Sequence, residues 1–142
     1  MKTLYSLFAI VLIAGCVDAQ KLKEADVPAA AVSAFHKMYS DVKSIVGYNE
    51  DGNFEAEYKA GDMEASASFD KNGNLVETEK EIAVKELPAG ITDYVSKNYS
   101  GATIKEATEI TDARGVKTYE AEIKGKDLVF DANGKFLKEE KD

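Results

Sequence analysis

A duplicated stretch of sequence is the strongest constraint on how this chain can fold. The segment DKNGNLVE at 70–77 returns as DANGKFLK at 131–138. Two copies at an offset near 60 residues indicate a duplication, because solenoids need three or more units. The other matching pairs are FEAEYK at 54–59 with YEAEIK at 119–124, Val27-Pro28 with Leu87-Pro88, and Tyr39-Ser40 with Tyr99-Ser100.

Each copy begins with a predicted helix of about 12 residues, close to the average for globular proteins. Pro28 and Pro88 suit the first helical position, where the missing N–H of proline costs nothing. Apolar residues then recur at three- and four-residue spacing, which is typical of a helix with one buried face. They are Ala31, Phe35 and Met38 in the first copy and Ile91, Val95 and Tyr99 in the second.

Four strands are predicted to follow each helix. In FEAEY at 54–58, apolar residues alternate with Glu55 and Glu57, as is typical of antiparallel strands with one buried face. Asn-Gly and Asp-Gly pairs between such segments favour tight hairpins. The strands are predicted at about 42–48, 54–60, 63–70 and 75–82 in the first copy and at about 103–111, 116–124, 127–131 and 136–140 in the second.

The sequence therefore predicts an α+β fold, a tandem repeat of two helix-plus-four-stranded antiparallel meander units. The first unit spans 22–82 and the second spans 83–142. We expect the two units to share one interior. Small residues on the inward faces are expected to let the helices sit close on the sheet; they are Ala56, Ala65, Ala67 and Ala121.

Residues 1–19 have the pattern of a secretory signal peptide. Lys2 precedes an apolar run that is shorter than the roughly 20 residues needed to cross a bilayer. Small residues at 17–19 suit cleavage before Gln20, whereas LIAGC at 12–16 suits lipidation of Cys16 after a signal of residues 1–15. Both routes predict an exported protein, either periplasmic or secreted, or else anchored in the outer membrane through Cys16.

The order of these features resembles the PepSY-like proteins, and more narrowly their β-lactamase-inhibitor-like group, common among secreted and lipid-anchored proteins of Bacteroidetes. The resemblance is carried by the Pro-led helices that end in Tyr, by YSGATI at 99–104 and by FDxNG before a short last strand. It spans about 22–142, with Ser100 where the family usually has Pro. The resemblance implies the family's fold and a non-catalytic role in binding or inhibiting other proteins of the envelope.

Charge argues against one class of partner. The chain carries 18 Lys and Arg against 26 Asp and Glu, a net charge of −8, and its lysines are interleaved with glutamates. Nucleic acids require clustered cations, so no nucleic-acid partner is expected. Membrane contact is expected only through a lipid on Cys16. Since Cys16 is the only cysteine, no disulfide within the chain is expected.

Catalytic and metal chemistry find little support in the sequence. His36 is the only histidine, and we expect it to be solvated on a helix flank, without the partners that zinc or nucleophilic sites need. Gly73 and Gly134 stand fourth from Asp70 and Asp131, whereas a calcium-binding EF-hand loop needs glycine at the sixth position. Hairpin turns are predicted there instead, and no catalytic residue, cofactor or metal is expected.

A partner-binding face is the sharpest functional prediction. Acidic residues two apart in one strand share a face, where we expect them to be solvated and ionised. Acidic surfaces steer basic partners. The predicted face comprises Glu55, Glu57, Glu64, Ser66, Ser68, Glu120 and Glu122, and further contacts are predicted from loops at Tyr48, Asn49 and Arg114.

These observations favour an exported, non-catalytic binding module of the cell envelope that inhibits or regulates another envelope or secreted protein. The alternative is a weak cation- or small-ligand-binding protein that uses the same acidic face. An enzyme is the least favoured class, because no nucleophile–base pair can be identified.

Overall fold

The computed structural model describes residues 20–22, 26–42, 46–50 and 52–141. The predicted signal peptide and Cys16 lie outside these residues. The helices are α1 (Ala29–Met38) and α2 (Ala89–Asn98). The strands are β1 (Gln20–Leu22), β2 (Val46–Glu50), β3 (Asn53–Ala60), β4 (Met63–Phe69), β5 (Leu75–Ile82), β6 (Glu106–Asp112), β7 (Lys117–Ile123), β8 (Lys126–Asp131) and β9 (Phe136–Glu140). A short 3₁₀ turn at Val84–Glu86 precedes α2.

The strands form one nine-stranded antiparallel sheet whose spatial order follows the chain from β1 to β9. Helix α1 connects β1 to β2, and α2 connects β5 to β6. Strand β5 pairs directly with β6, from Glu77 opposite Asp112 to Ile82 opposite Ala107. The prediction of a mixed fold with two helices and an antiparallel sheet is confirmed.

Both helices lie on the same face of this sheet. Residues directly opposite each other on paired strands point to one face. One such row runs across five strands and contains Ala65, Lys80, Glu109, Tyr119 and Phe130. Ala67, two residues from Ala65, packs with α1, while Phe130 packs with α2. The opposite side of the sheet is called the helix-free face below.

Two clusters of buried apolar residues lie between the helices and the sheet, one under each helix. The cluster under α1 contains Ala31, Phe35, Ala56, Ala67 and Phe69. The cluster under α2 contains Leu87, Ile91, Val95, Ala107, Ala121, Ile123, Leu128 and Phe130. The expectation of one shared interior is therefore wrong, because the helices lie over different strands of the common sheet. The predicted inward-facing alanines at 56, 65, 67 and 121 are buried.

The repeated Asp-x-Asn-Gly segments form hairpin turns, as predicted. Asp70 Oδ1 accepts hydrogen bonds from the backbone N–H groups of Asn72 (2.8 Å) and Asn74 (2.9 Å). Asp131 Oδ1 accepts the equivalent bonds from Asn133 and Lys135, both at 2.9 Å. Each carboxylate thus satisfies two backbone donors of its own turn, which explains the aspartate without a metal ion.

Gly73 brings the first of these turns against helix α1. Its φ is +82°, and a Cβ placed on it would lie 2.6 Å from the backbone oxygen of Ala30. Gly134 has φ +77°, and its Cβ would lie 3.4 Å from side-chain atoms of Pro88 and Ile91 on the α2 side. The positive φ and the close approach of the Ala30 backbone both require glycine at position 73.

Gly73→Ala is expected to destabilise the protein more than Gly61→Ala. Both residues have positive φ, but nothing lies within 4 Å of a Cβ placed on Gly61. Gly61→Ala therefore costs only the free energy of holding alanine in the left-handed conformation, about 1–2 kcal/mol. Gly73→Ala must also displace the backbone of Ala30. Urea unfolding of the two variants compares these losses, and equal losses would contradict the close contact.

No helix in the described part of the chain has the length and apolar character needed to cross a membrane.

Candidate functional site

Strand alternation and pairing place the seven predicted partner-binding residues on the helix-free face. Glu55 lies opposite Ser68 and Glu57 opposite Ser66 on the paired strands β3 and β4. Glu64 belongs to the same alternating set on β4. Glu120 and Glu122 reach this face from β7, because Thr108 on β6 lies opposite Glu120 and Glu81 on β5 lies opposite Thr108. The structure therefore brings all seven residues to one side of the sheet.

Their burial differs from the prediction. Four of the seven are buried rather than solvated: Glu55, Ser66, Ser68 and Glu120. Their strands are flanked on both sides by paired strands, so neighbouring side chains surround them even on the face that carries no helix. Alternation correctly indicates the face on which a residue lies but overestimates its contact with water.

Ser66 and Ser68 lie between longer acidic side chains. Ser66 is paired with Glu57 on one side and with Glu79 on the other, and Ser68 lies between Glu55 and Glu77 in the same way. Ser66 is 1% exposed, and its Oγ has no hydrogen-bond partner in the described part of the chain. Short serine side chains therefore alternate with longer acidic side chains across β3, β4 and β5.

A second acidic region crosses the four strands β6 to β9. Glu106 lies opposite Glu122, Glu122 opposite Asp127, and Asp127 opposite Glu140. We call these four residues the carboxylate row. Cross-strand pairs of like charge destabilise a sheet, so this arrangement costs folding free energy.

Glu120 lies beside the carboxylate row, two residues before Glu122 on the same face of β7. It is 8% exposed, and its Oε2 accepts no hydrogen bond from the described residues. Burial raises the pKa of Glu120 to about 8, with further contributions from the nearby carboxylates of Asp127, Glu140 and Glu122. The expectation that Glu120 is ionised at neutral pH is therefore wrong, since a carboxyl with this pKa mainly holds its proton at pH 7.

Two other acidic residues of the same face show shifts in the same direction. Burial, followed by the charge of Asp112 directly opposite, raises the pKa of Glu77. Burial, followed by the charge of Glu122, also raises the pKa of Glu106. The helix-free face thus has a strongly negative environment in which additional positive charge would be stabilised.

Lysines balance part of this charge at its margins. Lys105 Nζ lies 2.9 Å from Glu122 Oε1, and Lys138 Nζ lies 2.8 Å from Glu140 Oε1. Lys59 Nζ lies 2.7 Å from Glu64 Oε1 at the end of the β3–β4 hairpin. Exposed pairs of this kind contribute little to stability, and the carboxylates remain in excess.

Several residues of the acidic face are absent from the predicted partner-binding set. They are Glu77, Glu79, Glu106, Asp127 and Glu140. The signal for the first two was present, because residues 75–82 alternate in the same way as β3. Asp127 was harder to identify, because it lies in an apolar strand and its role depends on pairing with β7 and β9.

The predicted loop contacts have different outcomes. Tyr48 and Asn49 lie within strand β2, so their assignment to a loop is wrong: the strand begins at Val46 and continues to Glu50. Arg114 does lie in a turn, where its guanidinium bonds to Asp112 at 2.7 and 2.9 Å and remains largely exposed. It therefore supports its own turn, and partner contact through it stays a prediction.

The described residues offer more for recognition than for chemistry. His36 is exposed on α1, as expected, and its ring meets the edge of Phe35. Among residues 20–22, 26–42, 46–50 and 52–141, no group of three or more His, Cys, Asp or Glu side chains is arranged to hold a metal ion. The arrangement can attract and bind cationic groups through many carboxylates spread over several strands.

Comparison with known families gives a match over more than half of the chain. A family model described as "Putative beta-lactamase-inhibitor-like, PepSY-like" matches residues 52–138. The match extends from the start of β3 into β9 and includes the acidic residues named above except Glu140. No curated protein matches the chain at a significant level.

Solved structures share the fold at low sequence identity. A "putative periplasmic" protein from Bacteroides eggerthii has a TM-score of 0.74 at 14% identity, with 81% of this chain and 88% of that chain covered. A DUF2874 family protein from Bacteroides uniformis has a TM-score of 0.72 at 16% identity, covering 80% and 88%. A BLIP-like protein from Bacteroides fragilis has a TM-score of 0.63 at 21% identity, covering 79% and 84%.

Proposed function

The chain belongs to this PepSY-like, β-lactamase-inhibitor-like family, and from that premise we propose that it is an exported, non-catalytic binding module of the cell envelope. Its partner is another envelope or secreted protein, which it inhibits or regulates. The observation that carries the proposal is the helix-free face, where carboxylates from β3 to β9 meet with few cations between them.

The charge of this face specifies the chemistry of the partner. Complementary charge accelerates encounter and selects against the wrong partners. A basic loop or strand that lies across the sheet meets Glu57, Glu64 and Glu122 at partly exposed positions. The partner surface is therefore rich in Lys or Arg.

Export is part of the same proposal. It is supported by the pattern of residues 1–19 and by the description of the B. eggerthii protein as periplasmic. Cleavage before Gln20 and lipidation of Cys16 remain the two routes, and the mass of the N-terminal peptide of the exported protein distinguishes them. Anchoring in the outer membrane follows only from the second route.

We further propose that 22–82 and 83–142 are a tandem repeat. Both helices have 10 residues, are preceded by proline and are followed by tyrosine with φ near −126°. Each is followed by four strands. Superposition of the two halves in an experimental structure tests this proposal.

Position-specific photo-crosslinking in the native cell tests the binding function. A photoreactive residue at Thr108 lies on the helix-free face, whereas one at Thr92 lies on the exposed side of α2. We expect a discrete protein adduct from position 108 and none from position 92, because the partner contacts the acidic face.

Charge reversal provides the control. Glu106→Lys with Glu122→Lys is expected to abolish the adduct, whereas Asp93→Lys, a change on the exposed side of α2, is expected to leave it intact. Equal crosslinking from both positions, or an adduct that survives reversal on the helix-free face, would refute the proposal.

A further inference from the structure

The carboxylate row is an unusual feature for a sheet to retain. Glu106, Glu122, Asp127 and Glu140 are successive cross-strand neighbours, and like charges placed directly opposite repel. Two lysines, Lys105 and Lys138, bond to the row within the described residues. Acidic side chains therefore lie beside one another along the whole row, and Glu120 lies next to it on β7.

Glu120 supplies a second observation that points to a missing positive group. Its side chain is 8% exposed, and its Oε2 is buried without a hydrogen-bond partner in the described part of the chain. Glu140 Oε2 is likewise buried without a hydrogen-bond partner in the described part of the chain, although Glu140 Oε1 accepts a hydrogen bond from Lys138 Nζ. Buried acceptors without donors cost free energy, and a donor brought by a partner would relieve that cost.

The geometry favours an organic cation over a metal ion. The described residues contain no group of acidic side chains arranged around a metal ion, which would need oxygens at about 2.3–2.6 Å. The row instead extends over four strands, a span of about 14 Å at the usual strand spacing. An extended peptide presents alternate side chains about 7 Å apart, so two or three arginines can lie along this span.

We propose that the carboxylate row and Glu120 form a subsite for arginine side chains of the partner, and that Glu120 gives up its proton when an arginine binds. This inference rests on the proposed function, because it names the chemistry of recognition at the same face. Arginine fits better than lysine because its planar fork donates several hydrogen bonds to carboxylates at once.

The environment of Glu120 explains why its carboxyl group carries a proton in the free protein. Burial and neighbouring carboxylates hold its pKa at about 8, so the free protein carries the proton at neutral pH. A guanidinium beside the carboxylate favours the ionised form, and the released proton passes to the buffer. The charged groups around Glu120 are Glu122 on its own strand, Asp127 from β8, Glu140 and Lys138 from β9, and Glu106 one row along on β6.

Isothermal titration calorimetry with a defined peptide tests the subsite. The probe is acetyl-Arg-Gly-Arg-Gly-Arg-amide, and its matched control replaces each arginine with the neutral isostere citrulline. Titrations at pH 7 in phosphate and in Tris, at one ionic strength, reveal proton release as a difference in apparent enthalpy. We expect the release of close to one proton, and an affinity that rises by up to about tenfold per pH unit between pH 6 and 8.

The variants separate this inference from the proposed function. Glu120→Gln should bind more weakly at pH 8 and release no proton, whereas Asp93→Asn on α2 should behave like the wild-type protein. Because arginine stays charged throughout this range, any pH dependence belongs to the protein. Binding without proton release, or proton release that persists in Glu120→Gln, would overturn the inference while leaving the binding function intact. Absence of binding at every pH, or equal binding of the citrulline peptide, would count against both.

Discussion

Glu120→Gln is expected to abolish most of the fall in stability that the wild-type protein shows as the pH rises from about 5 to about 8. Burial and neighbouring carboxylates raise the folded-state pKa of Glu120 to about 8 from its usual value of 4.5. Between these values the folded state holds more protons than the unfolded state, so the free energy of unfolding falls as the pH rises. Glutamine mimics the protonated side chain and does not titrate.

The size of the effect follows from the shift in pKa. A difference of one in pKa corresponds to about 1.4 kcal/mol, so full ionisation of Glu120 costs on the order of 5 kcal/mol, or roughly 15–20 °C in melting temperature. Thermal unfolding followed by circular dichroism from pH 5 to pH 9 measures it. The pKa of Glu109 is lowered, mainly by its hydrogen bond with Lys117. Glu109 therefore stabilises the fold when ionised, and this stability is lost as the pH falls through its folded-state pKa.

Asp93→Asn provides the control for the loss of one negative charge, because Asp93 lies on the exposed side of α2. Its stability should follow that of the wild-type protein across the same pH range. If Glu120→Gln also follows the wild-type curve up to pH 9, then Glu120 is not the group that destabilises the sheet.

Phe130→Ala is expected to cost about 3–5 kcal/mol in the free energy of unfolding. Phe130 has no exposed surface and packs in the α2 cluster, where its ring meets Tyr94 and Phe136 edge-on at 5.5 and 5.8 Å. Leu137→Ala is the matched control, because Leu137 is 50% exposed on the neighbouring strand and should lose less than about 0.5 kcal/mol. Denaturant unfolding measures both changes, and similar losses would contradict the observed packing.

The division of the core into two clusters can be tested with milder changes. Phe35→Leu acts on the α1 cluster and Phe130→Leu on the α2 cluster. Because the clusters share no residues, the two losses should add to within about 0.5 kcal/mol in the double variant. A coupling energy above about 1 kcal/mol would indicate one continuous interior, as the sequence alone suggested.

Much of the fold could be predicted because its signals are local. Proline at the helix start, alternation within strands and Asn-Gly turns each depend on a few adjacent residues. The predicted strands at 63–70, 75–82 and 136–140 therefore differ from β4, β5 and β9 by one residue at most. Strand β2 was predicted to end at residue 48, but it continues to Glu50.

Other features could not be predicted because they depend on distant parts of the chain. Strand β1 has three residues, too few for a periodic pattern, and it exists through pairing with β2. The pairing of β5 with β6 joins segments separated by α2. No local sequence pattern indicates this pairing. The sequence alone therefore could not show that the two helices cover separate regions of one sheet.

The acidic face was predicted in position but not in environment. Alternation assigned Glu55 and Glu120 to the correct side, since a strand has a fixed period of two. Their burial depends on what the neighbouring strands place beside them, and the carboxylate row depends on the register of four strands. The raised pKa of Glu120 follows from these distant contacts.

Backbone amide shifts provide the most direct test of recognition by the helix-free face. The ¹⁵N-labelled protein would be titrated at pH 8 with acetyl-Arg-Gly-Arg-Gly-Arg-amide, and its spectra compared with those of the citrulline control. We predict that the largest shifts occur in β6 to β9 around Glu106, Glu122 and Asp127, with α1 and α2 nearly unchanged. Shifts concentrated on the two helices, or spectra that the arginine peptide leaves unchanged, would contradict the claim that the acidic side of the sheet binds a basic partner.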